Sequence, residues 1–342
     1  MTAIPPPPAR RRIWPAVRGV LTLAALALVL WLGATHPDWG EIGSALAAAS
    51  AGWIIAAGLV NILSLVVRGA GWIVAAEIAA DRRLPWLHAQ AAFQIGQGVN
   101  TVVPGRVGEL IKVYVLNGRI GGGAARFSAL LGSVAVHRLM DVVPLGIVSL
   151  AVVAFGELQG GLRVSVIATL VFSGALLLLA ARLAMRPGAR VRSRRAAEML
   201  DALRGGFMVL RHRGPLALAV VLETVGWSIQ IGVVWLGFVA FGIDAGPVAA
   251  GAVVIATNAA TLIPLWPGNV GLVQVAVALA LAPWGVPQAE GIAFGLALQG
   301  AEIITALALG GAGMAYEGIG LRRLLATRRR VAPLAGPGVE EA

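Results

Sequence analysis

The sequence has no cysteine among its 342 residues and only one lysine, Lys112. Without cysteine there is no disulfide, thiolate zinc site, iron–sulfur cluster or cysteine nucleophile. Without a glycine-rich phosphate loop ahead of the sole lysine, a P-loop ATPase is excluded. Histidine is sparse too: His36, His88, His137 and His212 are scattered with no pair at i,i+4, so a histidine metal site is not expected. No cofactor is called for. Charge is the last shortage, at 13% of residues against roughly 25% in a soluble domain. So few charges cannot cover a surface that faces water.

Hydrophobic residues instead make up 58% of the chain. They come in blocks (Val20–Ala34, Trp53–Val67, Leu139–Phe155, Val164–Ala181, Leu216–Phe241, Ile292–Tyr316) long enough to cross a hydrocarbon core. The expected fold class is an all-α polytopic membrane protein. The net charge of +11 comes from 27 basic residues, all but Lys112 arginine, against 16 acids. Such a balance can mark a nucleic-acid binder. Here the arginines fall between the apolar blocks, nine of them from Arg182 to Arg213. There they orient spans and meet anionic head groups, so membrane lipids are the expected partners and nucleic acid is not; a homo-oligomer is left open.

Basic connections at 1–18, 78–85, 112–126, 182–213 and 321–330 belong in the cytoplasm, and the arginine-free connections 35–51, 153–162, 242–247 and 283–290 outside. This gives six spans, at about 18–35, 52–77, 127–154, 163–183, 215–241 and 290–316, in a bacterial cytoplasmic membrane with both termini inside. The first span follows Arg10, Arg11, Arg12 and Arg18 as a signal peptide would, but no small-residue cleavage site follows Leu21–Leu32, so it is read as retained.

Two apolar pieces, 86–116 and 248–283, each start and end on one side of the membrane. Each is broken near its middle, by Pro104-Gly105-Arg106-Val107-Gly108 and by Pro267-Gly268-Asn269-Val270-Gly271. They are read as re-entrant hairpins or pairs of short spans, the hairpin being favoured for 86–116, where Glu109 and Lys112 make the returning arm polar. The order span, span, hairpin, span then occurs twice with opposite orientation, an inverted-topology repeat. The expected divisions are a cytoplasmic tail (1–17), a first repeat (18–154), span 4 opening the second repeat (155–183), a basic linker (184–214), the rest of that repeat (215–316) and a tail (317–342).

A helix broken at membrane depth leaves backbone groups that only protein or a water-filled cavity can satisfy, and its half-helix N-termini suit anions. Intramembrane charges are expensive, roughly 2.5–3.5 kcal/mol each on insertion scales, and mark function. Arg106 and Glu109 flank the first break, and Arg138 and Asp141 share a helical face at i,i+3. The substrate-binding candidates are Asn100, Gly105, Arg106, Gly108, Glu109, Arg138, Asp141, Pro267, Gly268, Asn269 and Gly271. Arg106 leads, as a guanidinium suited to bidentate phosphate binding. Glu223 and Glu302 are candidates for a proton relay. Arg68 is expected to reach the cytoplasmic interface from near the end of span 2, Asn100 and Asn258 to cap freed backbone groups, and His137 to pack or hydrogen-bond. Catalytic and metal-binding residues are not expected.

Residues 100–141 resemble the transmembrane region of lysylphosphatidylglycerol synthases and its flippase-like relatives. The shared pattern is an asparagine before Pro-Gly-Arg-x-Gly-Glu, a basic loop, and Arg-x-x-Asp in the next span. Here these are Asn100, Pro104 to Glu109, and Arg138-Leu139-Met140-Asp141. The second signature, Pro-Gly-x-x-Gly, matches Pro267, Gly268 and Gly271. Gln274 stands where members often carry glutamate, and His137 where an acidic residue commonly precedes the Arg-x-x-Asp. Some 26 residues follow the last span, where the synthases have a soluble aminoacyl-transferase domain, so aminoacylation is not expected. The resemblance implies movement of a phospholipid or lipid-linked group between leaflets. The competing expectations are a membrane-embedded lipid-modifying enzyme, which would need a cluster such as Asp-Asp-x-x-Asp, and an accessory protein of envelope lipid synthesis.

Overall fold

The computed structural model describes residues 38–103, 106–156, 208–262 and 267–320, with isolated residues between 163 and 182. The first expected span, about half of the fourth, most of the linker 184–214, the tails before 38 and after 320, and Pro104 and Gly105 lie outside the described residues. Among the described residues the chain is helical: α1 (Trp39–Ala48), α2 (Ala51–Ala80), α3 (Trp86–Val102), α4 (Gly108–Arg119), α5 (Ala124–Met140), α6 (Val142–Phe155), α7 (Arg213–Phe241), α8 (Pro247–Leu262), α9 (Leu272–Leu281) and α10 (Gln288–Glu317).

Among the described residues, four stretches are long and apolar enough to cross a membrane: α2, residues 125–155 of α5 and α6, α7, and α10. They coincide with expected spans 2, 3, 5 and 6, and the protein is a multi-pass membrane protein. At a rise of about 1.5 Å per residue, helices of this length exceed a hydrocarbon core of roughly 30 Å. α2, α7 and α10 each end on a left-handed residue, Asp81, Gly242 and Gly318, which closes the last turn. Between α5 and α6 the cause of the interruption is Pro144, which lacks the N–H that would bond the carbonyl of Met140.

Both broken pieces take the expected form of helix, interruption, helix: α3 and α4 around 103–107, α8 and α9 around a short 3-10 turn at Pro267–Asn269. Two apolar cores are the largest among the described residues. One gathers Trp72, Phe93, Ile95, Ile111, Leu116 and Leu130 from α2 to α5. The other gathers Phe238, Ala250, Val253, Val277, Leu281 and Phe294 from α7 to α10. α2 and α7 run against each other and join them; there the hydroxyl of Ser64 donates to the Gly226 carbonyl (2.9 Å). α10 lies along α3 across Gly98, Gly310 and Gly313, where an added Cβ would come within 3.1 Å of the facing backbone. Small residues permit this approach where lipid gives helices no hydrophobic drive to associate. Gly291 and Gly295 serve α9 in the same way.

Two segments differ from expectation. The arginine-free connection 35–51 contains α1, capped by the Asp38 carboxylate, which accepts from Gly40 N (2.8 Å). Its single buried residue, Ile42, packs with Ala278, Ile292 and Ala293. One anchoring side chain on a ten-residue helix is too weak a periodic signal to read in sequence. Lys112, assigned to a cytoplasmic connection, lies inside α4 and is 2% exposed. It orients nothing at a surface, because its charge is met within the fold.

Candidate functional site

The two breaks meet on one cavity of about 320 Å³. Arg106 contributes from the first break and Gly268 and Asn269 from the second, with walls from α2, α3, α5, α7, α8, α9 and α10. Arg106 and Asn269 occupy the same position of the Pro-Gly-x-Val-Gly pattern, and both are left-handed, at φ 55° and 46°. Asparagine tolerates that region; for arginine it costs roughly 1–2 kcal/mol, and such strain gathers at functional sites.

Carboxamides satisfy the backbone that the breaks set free. Asn100 accepts from Gly108 N (2.8 Å) across the first break. At the second, Asn269 donates to the Ala260 carbonyl (2.7 Å), Gln299 donates to the Gly268 carbonyl, and Gln274 accepts from Gly271 N (2.5 Å) while donating to Gln299 (2.7 Å). Gly108 and Gly271, named as substrate candidates for half-helix N-termini, therefore already spend their N–H groups on side chains, and neither lines the cavity. Gly108 has a packing reason as well: a Cβ there would sit 1.9 Å from the Gly96 carbonyl oxygen, so α3 and α4 touch backbone to backbone.

Behind the cavity the charged side chains form a chain of alternating sign. Lys112 pairs with Glu109 (2.5 Å), Glu109 with Arg138, Arg138 with Asp141 (3.2 Å), Asp141 with Arg68 (3.5 Å), Arg68 with Glu223 (3.7 Å), and Glu223 with His137 (2.7 Å). Trp227 donates its indole N–H to Asp141 (2.9 Å) and lies under the Arg68 guanidinium, 4.3 Å from ring centre. Lys112 rests over Trp72 and Phe93. Three cations, Lys112, Arg138 and Arg68, thus meet three carboxylates, Glu109, Asp141 and Glu223. Buried charges persist when paired in this way.

Of the candidates, Asn100, Arg106, Arg138, Gly268, Asn269 and Glu302 line the cavity. Glu109, Asp141 and Glu223 do not; they are buried in the ion chain. Glu302, the other proposed relay, accepts from Gln230 (2.8 Å). Gly105 lies outside the described residues, and Pro267 opens the second break's turn. Arg68, expected at the membrane interface, is in the interior of α2 and lines the cavity. Asn258 donates to the Val254 carbonyl of its own helix (2.8 Å), and His137 is buried. The reading from sequence missed Gln230, Gln299 and Asn61. Their signal was faint: uncharged amides in apolar helices, spaced from their partners by tens to hundreds of residues.

Arg106 stands apart from this pairing. Its guanidinium donates to the Thr261 carbonyl at the end of α8 (3.3 Å), so a side chain from one break reaches the other, and among the described residues it forms no ion pair with a carboxylate. It is an exposed cation on a cavity wall, with donors left for a ligand.

Residues 19–310 match the family described as the lysylphosphatidylglycerol synthase TM region. The chain belongs to that family, a membrane family with a lipid-related role. No curated protein matches it.

Proposed function

We propose that this member of the lysylphosphatidylglycerol synthase transmembrane-region family is a transporter, not an enzyme, that moves a lipid with an anionic head group between the leaflets of a bacterial cytoplasmic membrane. The observation that carries the proposal is the meeting of both helix breaks on one cavity whose wall holds an arginine that, among the described residues, has no carboxylate partner. A planar guanidinium with free N–H groups matches phosphate oxygens, and a low-dielectric wall strengthens the contact. Arg138 and Arg68 add positive potential, and their carboxylates hold them in place.

The left-handed residue at equivalent places in both breaks supports an inverted repeat in which α2, α3–α4 and α5–α6 correspond to α7, α8–α9 and α10. Movement of one repeat against the other about the shared cavity would present it to each leaflet in turn. Both termini are cytoplasmic in this scheme. The drive is a lipid gradient, the membrane potential or protons, with Glu302, Glu223 and Asp141 as the relay groups.

The test is transport by purified protein in liposomes containing fluorescent phospholipid, read by quenching of the outer leaflet. Wild type is expected to move label, Arg106→Ala to lower the rate by at least about tenfold, and Arg106→Lys to fall between them, since lysine keeps the charge and loses the fork. An alanine variant as fast as wild type refutes the phosphate assignment.

A further inference from the structure

Beyond its cation, the cavity is walled by groups that both give and take hydrogen bonds. Gln97 has no side-chain partner among the described residues, so its carbonyl and amino ends are both open. Asn61 spends its amino group on Thr305 (2.6 Å), and Gln230 spends its own on Glu302 (2.8 Å), which leaves two amide oxygens and one carboxylate oxygen as acceptors. Asn100 has the reverse arrangement: its oxygen is taken by Gly108 N, and its amino group is left to donate.

Resting on the transport proposal above, we infer that the head group is a phosphodiester bearing neutral hydroxyls, a glycerol or a sugar, with phosphate at Arg106 and hydroxyls on Gln97, Asn61, Gln230 and Glu302. A hydroxyl donates one hydrogen bond and accepts others, so it uses both kinds of open group. An ammonium only donates, and the open amino groups of Gln97 and Asn100 would be left without acceptors in a desolvated site. Two further features of the cavity weigh against an ammonium. Among the described residues that line the cavity Glu302 is the one carboxylate, and it is already shared with Gln230, while the Trp227 face that would hold a cation is covered by Arg68. A bare phosphate monoester would fill the Arg106 end and leave the acceptors unused.

The test is binding, measured apart from transport. Fluorescent short-chain phosphatidylglycerol is bound to the purified full-length protein in nanodiscs and displaced by unlabelled phosphatidylglycerol, phosphatidylinositol, phosphatidylethanolamine or phosphatidic acid. The two hydroxyl-bearing lipids are expected to displace it at concentrations about tenfold lower than the other two, the effect of one or two hydrogen bonds. Gln97→Leu, which removes no side-chain hydrogen bond among the described residues, is expected to shrink that preference to about threefold or less, and Glu302→Gln to shrink it too. The inference is overturned if the probe does not bind, if phosphatidylethanolamine or phosphatidic acid competes as well, or if both variants keep the full preference. Head-group preference in binding without liposome transport would sink the transporter proposal alone; transport without preference would sink this one alone.

Discussion

Lys112 and Asp141 do not touch, yet each sits on the same run of alternating charges, so their removal should be coupled. Lys112→Met deletes a cation that is held by Glu109 at 2.5 Å and stacked over two aromatic rings. It leaves two cations against three carboxylates in a buried site. Asp141→Asn does the opposite, leaving Arg68 and Arg138 in surplus and keeping a side chain of the same shape. Orphaning one member of a buried ion pair costs about 3–5 kcal/mol. The double variant removes one charge of each sign and restores balance, with Glu109 still on Arg138 and Glu223 still on Arg68. The expected loss in the double variant is therefore smaller than the sum of the single losses by about 1–3 kcal/mol, the range for residues coupled in one network. Equilibrium unfolding in mixed micelles titrated with sodium dodecyl sulfate, followed by tryptophan fluorescence, measures all four forms. Losses that add to within about 0.5 kcal/mol would show that the pairs act independently, and the balanced network would have to be abandoned.

Two further predictions concern the backbone of the breaks. Gly108→Ala is expected to abolish a monodisperse peak on size-exclusion chromatography, because the new methyl overlaps the Gly96 carbonyl, whereas Gly118→Ala, with open space around it, should behave as wild type; equal profiles for both would refute the close approach of α3 and α4. Asn269→Ala loses the bond to Ala260 and strains a left-handed residue, for a cost of about 2–3 kcal/mol, while Asn269→Gly keeps the backbone freedom and should cost about 1 kcal/mol. Thermal melting in detergent ranks the pair, and an alanine variant as stable as the glycine one contradicts the conformational argument.

Spans 2, 3, 5 and 6 were legible in sequence because an uninterrupted apolar run has few other uses, and the breaks were legible because Pro-Gly cannot continue a helix. The charges were visible for the same reason, as rare events in apolar segments. What each charge does was less legible. Lys112 read as a cytoplasmic residue and Arg68 as an interfacial one because sequence shows a side chain only beside its neighbours. Glu223, the partner that holds Arg68 inside, lies 155 positions away, and the carboxylate that neutralises Lys112 is itself shared with Arg138, 29 positions from Glu109. The amides of the cavity were missed on stronger grounds. Asn61, Gln230 and Gln299 carry no charge, break no helix and follow no spacing; only the fold brings them onto one wall.

Arg106 is a cross-tie between the two breaks. α2 and α7 are bound along their lengths by close packing and by the ion chain, α3 packs along α10, and Arg106 adds a 3.3 Å hydrogen bond from the first break to Thr261. In mechanical terms the protein is a stiff spine with a clasp. On the proposed reading, a phosphate at Arg106 would compete for the guanidinium that fastens this clasp to Thr261, so that filling the cavity and loosening the clasp would be one event.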